Sequence, residues 1–341
     1  MNPTISNGVL KTKTFKIISQ INESEILKGT IIKSTGSWYW IRTEDGKVIQ
    51  SRIKGKFRLN GKKLTNPVAV GDEVEFKVEK NEEGTGIINK ILPRKNYIAR
   101  QSTHKRLHLH LLASNINQAI LFVTLKNPKL KPGFIDRFLL MTAPFDIPTY
   151  IIVNKADLYS EKDLKLYHNL KQIYEKIGYN IVLISALERE NITELQNILK
   201  DKTSMISGHS GVGKSTLINA LQPNLDLKTQ EISDSSGKGQ HTTTFAEMHP
   251  LTFGGYIIDT PGIKSLTFNH LTEMEVAHNF LEFFRASKDC RFNNCLHINE
   301  PHCMVKNAVE EGEISPLRYD NYLQIISEIR EQNYWELNKA L

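Results

Sequence analysis

Between residues 23 and 95 apolar positions alternate with polar or basic ones in short runs: EILKGTIIKS, SWYWIRTEDGKVIQSRIK and DEVEFKVEK. A period of two is the pattern of strands with one buried face. Turn signals separate the runs at Thr35-Gly36-Ser37, Asp45-Gly46, Asn60-Gly61, Gly71-Asp72 and Gly84-Thr85-Gly86. Some five short antiparallel strands in so little chain predict a small β-barrel of the OB-fold type. From residue 116 the pattern changes. INQAILFVT, PTYIIV and NIVLIS are continuous apolar runs, as expected of strands covered on both faces. Helical spacing fills the intervals: PGFIDRFLLMTAPF, SEKDLKLYHNLKQIYEKIG with Gly178 as its stop, and NITELQNILK with a capped start. TSMISGHS followed by GVGKSTLINAL reads as strand, loop, helix. Strands alternating with helices predict a parallel α/β sheet with right-handed crossovers. After about residue 268 the chain turns helical and is interrupted once by a Cys/His cluster.

Composition narrows this picture. The chain has 341 residues, 40% hydrophobic and 24% charged, a globular balance that excludes wholesale disorder. No apolar run reaches the ~20 residues of a membrane-spanning helix. MNPTISNGVLKTKTFKIISQ at the start lacks the apolar core of a secretion signal. Three late cysteines make no disulfide framework, so a reducing, cytoplasmic setting is expected, with no membrane contact and a monomeric chain. Net charge is +7, and it is uneven: residues 1–110 carry 21 basic and 10 acidic side chains. The whole basic excess lies in the first third, which points to a nucleic-acid contact. Trp38, Tyr39, Trp40 and Phe57 lie there among Lys47, Arg52, Lys54, Lys56, Arg58, Lys62 and Lys63. Aromatics among cations can stack bases and neutralise phosphates. Trp38 and Trp40 share one strand face, however, and are expected in the barrel core. Residues 94–118 read as a basic connector. Its His104, His108 and His110 suit a solvated or phosphate-facing loop rather than a metal site, since no cysteine or carboxylate accompanies them.

The most specific chemistry is Gly208-His209-Ser210-Gly211-Val212-Gly213-Lys214-Ser215, which fits G-x-x-x-x-G-K-[ST] between a strand and a helix. Glycines let the backbone wrap a polyphosphate with its N–H groups inward, and the helix N-terminus adds positive charge. Lys214 would reach the β- and γ-phosphates and the Ser215 hydroxyl would ligate Mg²⁺. The candidate phosphate contacts are Gly208, Ser210, Gly211, Val212, Gly213, Lys214, Ser215 and Thr216, with His209 at a variable position of the loop. Asp259-Thr260-Pro261-Gly262 follows the strand YIID, where Asp259 can hold Mg²⁺ through water and the Gly262 N–H can sense the γ-phosphate. Asn154-Lys155-Ala156-Asp157 follows the strand TYIIV. The Asp157 carboxylate can accept from guanine N1–H and the 2-amino group, a pattern adenine lacks. Ser185 and Ala186, after NIVLI, can add backbone contacts to the base.

Together these motifs resemble GTPases of the Ras-like superfamily in a rearranged order. The base-recognition segments (154–157, 185–186) precede the phosphate loop (208–215), and D-T-P-G (259–262) comes last. With a basic barrel before and a Cys/His cluster after, the chain resembles the circularly permuted ribosome small subunit-dependent GTPase A family (RsgA-like). The resemblance implies an OB-fold domain (23–97) behind a tail (1–22), a permuted GTPase domain (98–267) and a mainly helical zinc domain (268–341). It implies GTP hydrolysis to GDP and phosphate, with small-subunit maturation, rRNA binding and release coupled to hydrolysis. Gly239-Gln240-His241-Thr242-Thr243-Thr244 matches the family's switch signature. One of its threonines, with Thr244 as the candidate, would close on Mg²⁺. The position after D-T-P-G is Ile263, not glutamine, and the family pattern points to His241 as the water-positioning or general-base residue. His241 packing or contacting RNA is the alternative.

Cys290, Cys295, His297 and Cys303 offer three thiolates and an imidazole within fourteen residues, a closed tetrahedral set for one structural Zn²⁺. The spacing matches the family's zinc motif, and His302 is a competing ligand. The chain runs from Asp259–Gly262 straight into this module, so γ-phosphate sensing at Gly262 is expected to move it. A different class of reading remains: an RNA-binding assembly chaperone that uses the nucleotide only as a sensor. A third, an ATP-dependent nucleic-acid remodelling enzyme, conflicts with Asp157.

Overall fold

The computed structural model describes residues 26–53, 64–79, 84–101, 109–221, 245–260, 266, 268 and 271–339. Strands β1 (Leu27–Ser34), β2 (Tyr39–Thr43), β3 (Val48–Ile53), β4 (Glu73–Val78) and β5 (Gly86–Ile91) come first. They pair in the order β1-β2-β3-β5-β4, and β4 returns to β1, closing a five-stranded barrel. Only β3 and β5 run parallel within it. Alternate side chains point inward, so Ile31, Tyr39, Ile41, Ile49, Val74, Phe76 and Ile88 form the barrel core.

That register corrects one expectation. Tyr39, 1% exposed, takes the interior position, and Trp38 and Trp40 lie half-buried outside. A cation rests on each indole: Arg52 lies 5.0 Å from the Trp38 ring and Lys33 5.6 Å from that of Trp40. The physical reason is the period of two, since a one-residue shift sends every side chain to the opposite face.

The basic connector is not a plain loop. Strands β6 (Tyr97–Gln101) and β7 (Leu109–Ser114) pair as an antiparallel hairpin. It is fastened to the barrel by Asp72, fully buried, which accepts from Arg94 (2.6 and 2.7 Å), Ser114 Oγ (2.6 Å) and the Ala69 N–H (2.9 Å). His110 lies 2.9 Å from Thr65 Oγ1. His104, His108, Phe57, Lys54, Lys56, Arg58, Lys62, Lys63 and the tail fall outside the described residues.

The central sheet follows. Strands β8 (Gln118–Val123), β9 (Thr149–Val153), β10 (Asn180–Leu183), β11 (Thr203–Gly208) and β13 (Tyr256–Asp259) are parallel, in the order β10-β9-β8-β11-β13. Strand β12 (Glu247–Pro250) lies antiparallel to β13 and also pairs with β1 at Lys33↔Glu247. Barrel and central sheet thus join into one eleven-stranded sheet. A bulge after Ile31 bends β1 at this junction, which lets one strand serve both neighbours. The Lys33–Glu247 pair (2.7 Å) and the Arg42 guanidinium 4.3 Å from the Tyr256 ring close it.

Helices cover both faces of the sheet, which is why its parallel strands are buried on both faces and carry mostly apolar residues. Helices α1 (Phe134–Thr142) and α2 (Glu161–Ile177) pack on one face, and α3 (Ile192–Leu199) and α4 (Lys214–Leu221) on the other. Gly178 ends α2 in the left-handed region (φ 107°), as its position in the sequence predicts. Asn191, expected to cap α3, instead adopts φ 58° and donates to the Leu183 carbonyl (2.9 Å).

The C-terminal helices are α5 (Glu273–Asn279), α6 (Leu281–Ala286), α7 (Met304–Glu310) and α8 (Pro316–Lys339). Thr272 and Glu275 form a capping box on α5. Phe280, Phe283, Tyr322, Ile325, Ile326 and Ile329 share one continuous core with Phe138 and Leu139 of α1. No described helix is long and apolar enough to cross a membrane.

Candidate functional site

Parallel strands deliver their C-terminal ends to a single edge, where ligands of open α/β sheets bind. Four motif segments leave the sheet there: Asn154–Asp157 after β9, Ser185–Ala186 after β10, Gly208–Ser215 between β11 and α4, and Asp259 at the end of β13. Asn154 draws three of them together. Its Nδ2 donates to the Val212 carbonyl in the phosphate loop (2.8 Å), and its Oδ1 accepts the Ala186 N–H (2.9 Å). Asn154 is 2% exposed, so these bonds are shielded from water.

The loop's glycines answer to close contacts. Gly213 has φ 93°, and a Cβ there would sit 2.4 Å from Asn154 Nδ2. Gly208 passes so near β8 that a Cβ would meet the Phe122 carbonyl oxygen at 2.3 Å. Lys214 Nζ turns back onto the loop and donates to the Gly208 and His209 carbonyls (3.0 Å each). Burial pulls the Lys214 ammonium below its ordinary range, and the nearby Asp259 carboxylate partly restores it. Asp259 is 5% exposed, and Thr260 Oγ1 holds the end of β13 by donating to the Ile206 carbonyl (2.8 Å). Ser210 and Gly211 are exposed, and Ser215 and Thr216 are half-buried at the start of α4.

On the base-recognition side, Asp157 is exposed and its Oδ1 accepts from Ser185 Oγ (2.5 Å). The Glu188 N–H in turn donates to Ser185 Oγ (3.1 Å), so the serine and the carboxylate are mutually oriented. Lys155 adopts φ 71° and its Nζ donates to the Asn127 carbonyl (2.5 Å). Sequence reasoning missed Tyr159. Its hydroxyl donates to the Asn154 carbonyl (2.5 Å) and accepts the Leu125 N–H (2.9 Å), pinning the turn that carries Asp157. A tyrosine two residues past the motif carries no signal of its own. His241, Thr244, Gly262 and Ile263 lie outside the described residues.

The second cluster lies in the loop between α6 and α7. One ligand atom from each of Cys290, Cys295, His297 and Cys303 lies within 4.8 Å of the others, so the group could hold a metal ion. His297 Nδ1 is 3.8 Å from Cys290 Sγ and 3.4 Å from Cys303 Sγ. Burial pushes the Cys295 thiol up to about 12 and the Cys303 thiol upward, and it pushes the His297 imidazole down. Glu300 went unnoticed in the sequence. Its carboxylate accepts the N–H groups of Leu296, Ile298 and Asn299 (2.8, 2.8 and 3.1 Å) and so shapes the loop. Tyr319 and Tyr322 of α8 donate to the carbonyls of His297 (2.8 Å) and Leu296 (2.6 Å).

Comparison with known proteins covers the barrel and the central domain. The RsgA N-terminal domain pattern matches residues 28–87 and the RsgA GTPase pattern residues 91–269. A protein of Christiangramia forsetii named small ribosomal subunit biogenesis GTPase RsgA is 51% identical over 309 residues, 90% of this chain and 98% of that one. A Bacteroides fragilis protein of the same name is 47% identical over 308 residues, 90% of this chain and 99% of its own. The crystal structure of YjeQ from Thermotoga maritima has a TM-score of 0.70 at 36% identity, covering 89% of this chain and 99% of that one. YloQ, described as a circularly permuted GTPase, has a TM-score of 0.67 at 30% identity, covering 91% of this chain and 97% of its own. The chain therefore belongs to the RsgA family of circularly permuted GTPases and is a GTP hydrolase.

Proposed function

We propose that this GTPase acts in maturation of the small ribosomal subunit, binding rRNA and leaving the subunit after hydrolysis. The observation that carries the nucleotide site is Asn154, which bonds to the phosphate loop and to Ala186 at once. The relatives' names support the ribosomal setting. That setting makes the cytoplasm the site of action, with the chain working as a monomer away from membranes.

In this reading Asp157 accepts from guanine N1–H and the 2-amino group. Ser185 aims that carboxylate, and Ser185 and Ala186 bound the base. Asn154 and Lys155 hold the loops on either side. Backbone N–H groups of Gly208, Ser210, Gly211, Val212, Gly213, Lys214, Ser215 and Thr216 surround the phosphates. Lys214, close to the loop carbonyls, would exchange them for β- and γ-phosphate oxygens. Ser215 and, from the switch, Thr244 would offer Mg²⁺ hard oxygen donors, with Asp259 holding it through water. Bound there, Mg²⁺ would neutralise charge on the transferred phosphoryl group. The Gly262 N–H senses the γ-phosphate, and His241 positions the attacking water and takes its proton.

The Cys/His cluster fits zinc. Zn–S bonds of ~2.3 Å and Zn–N bonds of ~2.05 Å at tetrahedral angles put sulfur and nitrogen about 3.6 Å apart. The separations of 3.4 and 3.8 Å between His297 Nδ1 and the Cys303 and Cys290 Sγ atoms bracket that value. A closed set of Cys290, Cys295, His297 and Cys303 leaves no open position, so the ion would staple the loop rather than react. The proposed division is a tail (1–22), an OB-fold domain (23–97), a permuted GTPase domain (98–267) and a zinc domain (268–341).

Phosphate release from GTP by the purified chain tests this, alone and titrated with isolated small subunits, with large subunits and ATP as controls. Turnover raised only by small subunits is expected, and His241→Ala should keep GTP binding while losing turnover. Turnover that small subunits leave unchanged would overturn the ribosomal reading. Full turnover in His241→Ala would remove that histidine from the mechanism.

A further inference from the structure

The nucleotide reading leaves His209, inside the phosphate loop, without a role. Its imidazole lies on the Phe134 ring, with centroids 3.9 Å apart and planes at 27°. Phe134 is buried at the first position of α1. The same helical turn carries Asp136 and Arg137, and both side chains reach into the C-terminal helices. Asp136 is fully buried and accepts from Arg318 Nη1 (2.6 Å), the Tyr174 hydroxyl (2.7 Å) and Asn321 Nδ2. Arg318 also makes a bidentate pair with Glu282 of α6 (2.7 and 2.9 Å). Arg137 pairs with Glu328 of α8 (2.8 and 2.6 Å). Helix α6 leads directly to Cys290.

Contacts thus run unbroken from the phosphate loop through one turn of α1 to α6, which precedes the Cys/His loop, and to α8, whose Tyr319 and Tyr322 bond to it. The links are stiff for separate reasons. The half-buried His209 ring lies against Phe134 of the packed core, and such a stack has few alternative arrangements. A buried guanidinium between two carboxylates cannot shift without leaving a charge unpaired. One end of the route is sensitive to phosphate. Lys214 Nζ bonds to the His209 carbonyl (3.0 Å), and phosphate oxygens would compete for that ammonium. Occupancy therefore changes the restraint on His209 while its ring remains against α1.

We propose that His209 is a positioning residue, whose stack on Phe134 sets the phosphate loop and couples its occupancy to α1, α6 and α8. This rests on residues 208–215 being the GTP phosphate loop. By linkage, if occupancy of the phosphate loop is coupled to α8, nucleotide binding must change α8.

The test is hydrogen exchange of the full, metal-loaded chain with and without saturating GDP, with saturation verified in the same samples by displacement of a fluorescent guanine nucleotide. In the parent protein GDP should slow exchange over Phe134–Thr142 and over Leu317–Ile329. In His209→Ala the phosphate-loop peptide should still be protected, but the α8 response should vanish, with GDP binding weakened about threefold to tenfold. His209→Phe, which restores a stacked ring, should restore the α8 response. Phe134→Leu removes the stack from the other side and should reproduce His209→Ala if that variant folds poorly. An α8 response equal in His209→Ala and the parent, or absent from the parent while GDP is bound, would overturn the coupling. A parent chain that fails to bind GDP would overturn the nucleotide reading and the coupling with it.

Discussion

Asn154→Ala orphans two backbone groups at once. The Val212 carbonyl loses its 2.8 Å bond and the Ala186 N–H its 2.9 Å bond. At 2% exposure, the vacated position is closed to bulk water. A buried polar group left without a partner costs about 1–3 kcal/mol. The pair therefore costs about 2–6 kcal/mol, divided between folding and nucleotide affinity. The folding share is read from thermal unfolding, where 1 kcal/mol moves a domain of about 150–250 residues by about 2–4 °C. The binding share is read from titration with a fluorescent GDP analogue, where 1.4 kcal/mol is about tenfold. The loss should be common to GTP and GDP, because the broken bonds order the loops beneath both. If Asn154→Ala melts within about 1 °C of the parent and binds GDP within about twofold, the bridge does not organise the site.

Asp157→Asn replaces an acceptor with an amide, so GTP affinity should fall and xanthosine triphosphate affinity rise, measured by competition against the fluorescent analogue. Arg318→Met leaves Asp136 and Glu282 buried without their cation, at a cost of about 3–5 kcal/mol. It should lower the urea midpoint of the C-terminal helices, and an unchanged midpoint would show the network to be energetically idle. Chelating the metal, or Cys295→Ser, should loosen the loop to which Tyr319 and Tyr322 bond, changing near-UV circular dichroism with little effect on GDP binding.

The nucleotide site was legible because its chemistry is local. Wrapping a phosphate needs glycines, a lysine and a hydroxyl within eight consecutive residues, and Gly208 to Ser215 supply them at a strand–helix junction. The Cys/His set was legible for the same reason, with its ligands close along the chain. Features that depend on distant partners were hidden. Asp136 and Arg318 lie 182 residues apart, and each alone reads as a surface charge. The Trp38 and Trp40 expectation failed because alternation states that two residues share a face but not which face is inside. The β6–β7 pairing escaped because the basic run between the strands dominated the reading of residues 94–118.

Residue types and their spacing alone determined the permuted order of the motifs, a candidate base-recognition carboxylate, a Cys/His set that could hold a metal ion and the sequence of barrel, α/β sheet and helices. Each follows from short-range stereochemistry that the chain carries wherever it folds. Tertiary structure decided how the parts are joined. It laid β12 against β1 to make barrel and sheet continuous, merged the C-terminal helices into the core of α1, and brought His209 onto Phe134. These are choices among many possible burials of similar apolar surface. The hydrophobic effect is non-directional, so which surfaces meet is settled by shape, charge pairing and hydrogen bonds once the chain is compact.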